Sequence, residues 1–222
     1  MKQKVLLSWS GGKDAALALH QLQRSRSYTV SSLLTTITQD YDRVTMHGTR
    51  RLLIEQQAGS LGLPVHTILL PKDISEEDYA DRMATFLRED LESGISHVAF
   101  GDIFLEEVRQ YRERNLAGVG MTAALPLWGQ DPRKLAQRFI DLGFQAIVNC
   151  VDSQALDGSL VGSKFNEQFL SELPPEVDPC GENGEFHTFV YDGPIFRRPI
   201  PFRKGEIVVR DDRFYYCDLL PT

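Results

Sequence analysis

No apolar run in this 222-residue chain approaches the roughly 18 residues that a membrane span requires, and no secretory apolar segment follows Met1-Lys2-Gln3-Lys4-Val5. Cysteine is scarce. Cys150, Cys180 and Cys217 are odd in number and far apart, which argues against a disulfide framework. With no Cys-x-x-Cys or His-x-x-His, a protein-held zinc is not expected either. Positive charge is also short: 24 Lys and Arg face 31 Asp and Glu, a net charge of −7. That balance disfavours a surface built to hold bare nucleic acid, so any polyanion must be met by a local site. These absences lead us to expect a soluble, cytoplasmic protein with no membrane partner. What is present is ordinary globular composition, 42% hydrophobic and 25% charged, in a length that fits one large domain or two small ones.

The first half alternates strand and helix signals. Val5-Leu6-Leu7-Ser8-Trp9 reads as a short buried strand, and a helix follows from about Asp14 with Ala15, Ala18, Leu19 and Leu22 at helical spacing. A β-branched stretch covers Tyr28 to Thr38. A helix marked by Ile54, Ala58 and Leu61 stops at Gly62, and Val65 to Leu70 is a third strand. Ser75 and Asp78 make a capping box for a helix carrying Tyr79, Met83, Phe86, Leu87 and Leu91. His97 to Phe100 is a fourth strand, 104–117 a helix, and Thr122 to Leu127 a fifth strand. Such alternation implies an α/β fold with a parallel sheet covered by helices on both faces. After Trp128-Gly129 the pattern changes. Asp131-Pro132 starts a helix that Gly143 ends, Ala146 to Val148 is a strand, and Pro174 to Gly184 is loop-like. Glu206 to Arg210 and Phe214 to Leu219 read as a hairpin around Asp211-Asp212. The expected division is 1–127 and 128–222, the second part a smaller α+β domain, with no internal repeat.

Ser8-Trp9-Ser10-Gly11-Gly12-Lys13-Asp14 sits where a nucleotide-binding α/β protein places its phosphate loop. Two glycines allow a tight turn whose N–H groups point at one anion, and the following helix adds partial positive charge. Lys13 brings a full charge, Ser10 a hydroxyl, and Asp14 a carboxylate that caps the helix or reaches a phosphate-bound Mg²⁺. The alternative is a plain strand-to-helix turn. A Walker A loop is excluded, because its first glycine and its Ser/Thr would fall on Leu7 and Asp14. A nucleophile elbow is excluded by Ser8, and Gly118-x-Gly120-x-x-Ala123 lies between a helix and a strand, the wrong order for a dinucleotide fingerprint.

A second cluster, Pro179 to Gly193, packs Glu182, Glu185, His187 and Thr188 among glycines. It reads equally as a site whose acids hold an amine or move a proton and as a solvated acidic turn leading into a strand. His47 stands evenly between a nucleotide contact and a structural role. His20, His66 and His97 read as packed or exposed, and Trp9 and Trp128 as packing residues, with Trp128 an alternative wall of the cleft. Arg109, Arg112 and Arg114 default to a solvated helix face, with pyrophosphate or substrate contact as the alternative. Cys150 is expected to be inert; Cys180 has nothing nearby that marks a nucleophile.

Ser10-Gly11-Gly12-Lys13-Asp14 resembles the PP-loop of the ATP pyrophosphatases, which implies cleavage of ATP between its α- and β-phosphates. The usual next residue is Ser; here it is Ala15, a loss of one hydroxyl contact worth about 0.5–1.5 kcal/mol. With Pro126-Leu127-Trp128-Gly129-Gln130-Asp131-Pro132 and Gly181-Glu182-Asn183-Gly184-Glu185-Phe186-His187-Thr188, the chain resembles the diphthine–ammonia ligase (diphthamide synthetase) family over essentially its whole length. Val44-Thr45-Met46-His47-Gly48 and Gly101-Asp102-Ile103 are similar to its bacterial-type relatives. The resemblance implies a Rossmann-like ATP domain, a smaller C-terminal domain, and an ATP-dependent ligase that adenylates a carboxylate and lets ammonia displace AMP. It places ATP and Mg²⁺ on Ser10, Gly11, Gly12, Lys13, Asp14, Ala15, Gly101 and Asp102, with Asp14 toward the metal. Lys13, Asp14, Glu182 and Glu185 become the catalytic candidates; Glu182, Glu185, His187, Thr188, His47 and Trp128 face the substrates. Lys13 is expected to be an exposed loop lysine whose loss spares stability. His187 and Gln130 depart from the acidic residue and Arg often found in members assigned to diphthine, so the acceptor is a diphthine-like or another carboxylate, on a modified protein side chain or a small molecule such as a corrinoid intermediate. A homo-oligomer stays open, as do a tRNA-modifying enzyme and a non-catalytic ATP sensor as other readings.

Overall fold

Two sheets share one apolar core in the computed structural model of the chain, which describes residues 2–222. The first is built on β1 (Gln3–Ser8), whose Val5, Leu6 and Leu7 are fully buried because neighbours cover both its edges and both its faces. On one side β1 pairs in parallel with β2 (Tyr28–Thr38). The short β3 (Arg43–Val44) runs antiparallel to the end of β2, and β4 (Val65–Leu70) pairs with β2 in parallel. On its other side β1 pairs in parallel with β5 (His97–Ala99), and β5 with β6 (Thr122–Ala124). The parallel strands therefore run in the order β4-β2-β1-β5-β6, that of a Rossmann-like doubly wound sheet.

Helices cover both faces, as the alternation implies. α1 (Lys13–Arg24) packs against β1 and β2, and its run Ala15-Ala16-Leu17-Ala18-Leu19 is buried all round. With α2 (Arg51–Leu61) and α5 (Pro132–Asp141) it contributes to the larger core. α3 (Glu76–Glu92) and α4 (Glu106–Ala117) close the opposite face over Leu6, Leu34, Val98 and Phe100. The expected starts and stops recur: Ser75 Oγ accepts from Asp78 N at 3.0 Å, Asp131 Oδ1 accepts from Lys134 N at 3.1 Å, and Gly62 ends α2 at φ 70°. The fifth parallel strand is shorter than expected. It stops at Ala124, and Pro126, which has no N–H for a ladder, lies in the turn that follows.

The second sheet is antiparallel, in the order β8-β7-β10-β9. Its members are β7 (Gln145–Asp152), β8 (Phe186–Asp192), β9 (Phe202–Arg210) and β10 (Phe214–Pro221). The hairpin expected at the end of the chain is β9–β10, with Asp211 and Asp212 at φ 53° and 50° in its turn, a conformation that Asp tolerates. α6 (Glu167–Glu172), capped by Asn166, is an element the sequence reading missed. The Pro179–Gly193 cluster is a turn that leads into β8, as one reading expects, but it is not solvated throughout, since Gly181 and Glu185 are buried.

Candidate functional site

In the parallel sheet the connections leave β1 and β5 in opposite directions, which opens a crevice at their C-terminal ends, the place where such sheets hold ligands. The Ser10–Asp14 loop fills one side of it and Gly101-Asp102 the other. Gly11 takes φ 81°, and a Cβ there would stand 2.7 Å from Ile54 Cδ1. Gly101 has no room either, because its Cβ would meet the backbone carbon of Asp14 at 2.8 Å. Glycine at these two positions lets the end of β5 rest directly on the first turn of α1.

Strand β8 completes the loop from the second sheet. Gly12, at the N-cap of α1, offers no side chain, and Thr188 Oγ1 instead accepts the Lys13 N–H at 3.0 Å. Val190 N–H donates to Gly11 O at 2.9 Å. Gln57, fully buried on α2, donates to both Gly11 O (3.0 Å) and Val190 O (2.6 Å) and accepts the Trp9 indole N–H at 2.9 Å. Trp9 is thus a packing residue, as expected, and Gln57 ties together β1, the loop and β8.

Lys13 is not the exposed loop lysine that the sequence suggested; it is 2% exposed. Its Nζ donates to Asp14 Oδ2 at 2.8 Å and to Cys180 O, between the rings of Phe186 (5.3 Å) and Phe165 (5.8 Å). Burial, the largest single effect, would lower its pKa, but Asp14, Cys180 and Asp178 together hold the ammonium above its ordinary value. The helix buries this side chain because Phe165, Phe186 and the 178–185 turn lie over the start of α1.

The two glutamates of that turn do different things. Glu185 is buried and faces its own turn, accepting from Asp178 N, Asn183 N and Asn183 Nδ2 at 2.9–3.1 Å. Glu182 crosses to the crevice, where its Oε1 accepts from Ile103 N at 2.8 Å. Its pKa is pushed up to about 7, first by burial and then by Asp14 and Asp102, against the pull of the Ile103 N–H and Lys13. Asp102 is gripped by both nitrogens of an Arg112 fork, and that guanidinium lies 4.1 Å from the Phe100 ring centroid. Arg112 therefore leaves the solvated face assigned to it. Arg109 stays at the rim, paired with Glu113 and 5.0 Å over Trp128, which is half-buried.

The imidazoles of His47 and His187 meet with ring centroids 4.2 Å apart. Burial, then each other and Lys13, pull His47 well below the ordinary range; burial and Lys13 bring His187 to about 4. His20 is buried, while His66 and His97 are half-buried. All three cysteines are free and buried, and burial raises their thiol pKa values, to about 12 for Cys150. None is a ready thiolate.

The structure thus brings Ser10, Gly11, Gly12, Lys13, Asp14, Ala15, Gly101, Asp102, Glu182 and Thr188 to one crevice, with His47 and His187 beside it. Among the described residues no group of three or more His, Cys, Asp or Glu is arranged to hold a metal ion. Gln57 and Asn149 were missed, and the partner that Arg112 finds in Asp102 was not foreseen. Gln57 had a signal: it stands within the apolar helical stripe Leu53, Ile54, Ala58, Leu61, where a polar side chain must find buried partners.

Comparison with known proteins matches the chain in two parts. Residues 1–123 match the family described as diphthamide synthase N-terminal domain, and residues 131–218 match the diphthamide synthase C-terminal domain. The chain is 27% identical over 147 residues to the diphthine–ammonia ligase of Danio rerio, covering 64% of the chain and 57% of that relative. It is 34% identical over 87 residues to the Bos taurus protein of the same name, covering 37% of the chain and 33% of the relative. The corresponding Schizosaccharomyces pombe protein is 30% identical over 115 residues, which is 50% of the chain and 19% of the relative. In these alignments the chain spans from about a fifth to just over half of the relatives' own length.

Proposed function

The chain belongs to the diphthamide synthase family, and on that footing we propose that it is an ATP-dependent ligase that adenylates a carboxylate and amidates it with ammonia. One observation carries the reading most of the way. Thr188 of β8 caps the Lys13 N–H at the start of α1, and Glu182, from the turn before the same strand, lies within the field of Lys13 and Asp14, which supports one site shared by the two sheets. In this reading residues 1–127 bind the nucleotide and 128–222 complete the acceptor site.

An acceptor carboxylate oxygen attacks the α-phosphorus, and the bond to pyrophosphate breaks. The loop N–H groups, the α1 terminus and the buried Lys13 ammonium stabilise the departing charge. Lys13 works as a fixed charge beneath the loop. Asp14, whose carboxylate is 28% exposed, is the residue that would hold Mg²⁺, supplied with the phosphates because the described residues form no cage for it. When bound, the ion would add positive charge at the phosphates. Ammonia then attacks the acyl carbon, AMP leaves, and the nitrogen loses a proton to Glu182. Glu185 positions Glu182 by organising the 178–185 turn, and Arg112 positions Asp102. His187, neutral where an acid is often found, supports an acceptor other than diphthine.

The test is incubation of the protein with ATP, Mg²⁺, ¹⁵N-ammonium and a cell extract. AMP, pyrophosphate and one labelled amide are expected; ADP and phosphate would overturn the reading. Glu182 carries a further expectation. With its pKa near 7, the wild-type rate should rise through that pH as the base forms, and Glu182→Gln should be slow and lack that limb. The same raised pKa means that the folded state holds a proton between about pH 4.5 and 7 that the unfolded state has released. Raising the pH through this window should therefore cost wild type more stability than Glu182→Gln, as measured by urea unfolding.

A further inference from the structure

β7 and β8 lose register between Val148 and Cys150, and Asn149 stands at the irregularity, 2% exposed. Its Nδ2 donates to His47 O at 2.8 Å and to Thr49 Oγ1 at 3.3 Å. A backbone carbonyl only accepts, so the amide cannot be flipped, and the buried atom left without a partner is the Oδ1 acceptor. His47 Nδ1 is likewise buried without a partner, on the residue whose carbonyl Asn149 holds. The His187 ring closes the group at 4.2 Å from that of His47. Native interiors rarely leave such atoms unmatched, and two on residues joined by a hydrogen bond call for a small ligand with N–H or O–H donors.

We propose that Asn149, His47 and His187 form the site that receives the ammonia molecule, an assignment that rests on the amide-forming reading above. Ammonia offers three N–H donors, for Asn149 Oδ1 and an imidazole nitrogen, and keeps its lone pair for the acyl carbon. The charges that bear on the two rings are their own and that of Lys13, from α1. The neighbouring Cys150 on β7 has a thiol held neutral by burial, and Tyr216 on β10, which donates to Met46 O, has a phenol pushed above its ordinary range. No carboxylate acts on the pair. A cation is therefore disfavoured and neutral NH₃ favoured, and ammonium leaves its proton to water on entry.

The experiment is a titration of the full-length, histidine-¹⁵N-labelled protein with ammonium chloride, followed by NMR of the ring nitrogens, with potassium chloride as control. The His47 and His187 signals should shift saturably with ammonium alone. Half-saturation in total ammonium should fall about tenfold for each pH unit between 7 and 8.5, because the free ammonia fraction rises in step. Asn149→Leu should raise half-saturation at least tenfold; should it fail to fold, His187→Phe keeps the stacked ring without its nitrogens and should do the same. Equal shifts with potassium, or no pH dependence, would overturn the assignment in favour of a cation or salt effect. Unmoved signals would overturn it in favour of a buried water only. A clean ammonia response without AMP formation would keep the site and sink the ligase, whereas labelled amide without the response would keep the ligase and sink the site.

Discussion

Replacing Lys13 with alanine is expected to lower AMP formation about 10²–10³-fold, the scale of removing one pre-positioned electrostatic donor. It is also expected to destabilise the fold by roughly 2–4 kcal/mol. The second effect follows from where the side chain lies. Its ammonium bridges Asp14 and the carbonyl of Cys180 under two phenylalanine rings, so alanine leaves a carboxylate and a buried carbonyl without their partner and opens a void. The measurements are pyrophosphate release and urea unfolding on the same preparation. Full stability with lost activity would mean that the loop lysine is free of the 178–185 turn. Lost stability with intact activity would remove Lys13 from the chemistry.

Gln57→Leu is the other large effect, although Gln57 touches no substrate in the proposed scheme. The change strands the Trp9 indole N–H and the Val190 carbonyl inside the core, at about 1–3 kcal/mol each. A loss of roughly 2–5 kcal/mol is expected, with nucleotide binding weakened in proportion because the same side chain holds Gly11 O. Isothermal titration with ATP and thermal unfolding separate the two. Gln57→Glu keeps an acceptor for Trp9 but sets a buried carboxylate against the two carbonyls unless it takes up a proton, so it should be no more stable than leucine at neutral pH and recover as the pH falls. Wild-type stability in the leucine variant would show that these groups find other partners.

Much of the fold lay open in the sequence because parallel sheets write themselves plainly. β1, the middle of β2 and β5 are buried on both faces, β4 buries only Ile68 and Leu70, all four read as apolar or β-branched runs, and the glycine stops at Gly62, Gly94 and Gly143 follow from backbone geometry. The glycine loop was legible for the same reason. What stayed hidden was set by distant partners. Lys13 looked exposed because nothing local says that Phe165 and Phe186 will cover it. Arg112 looked like one more charge on a polar helix until Asp102 and Phe100 were placed beside it. Glu182 and Glu185 are chemically alike and three residues apart; only the path of 178–185 sends one to Ile103 and the other back on itself. Asn149 gave no sign, since a register break depends on the partner strand.

The contact between Lys13 N and Thr188 Oγ1 joins residues 175 positions apart in the chain. On a ribosome, where the chain emerges from its N-terminus, the loop is made early while its cap is still unsynthesised. The cluster that runs from Leu6 to Met121 can collapse on the first half of the chain, yet the Lys13 N–H has only water for a partner until Thr188 has emerged. Closing so long a loop in the chain is slow relative to local helix formation. The order of synthesis therefore puts the smaller cluster before the larger core, which both sheets share, and the glycine loop gains its cap only with the latter.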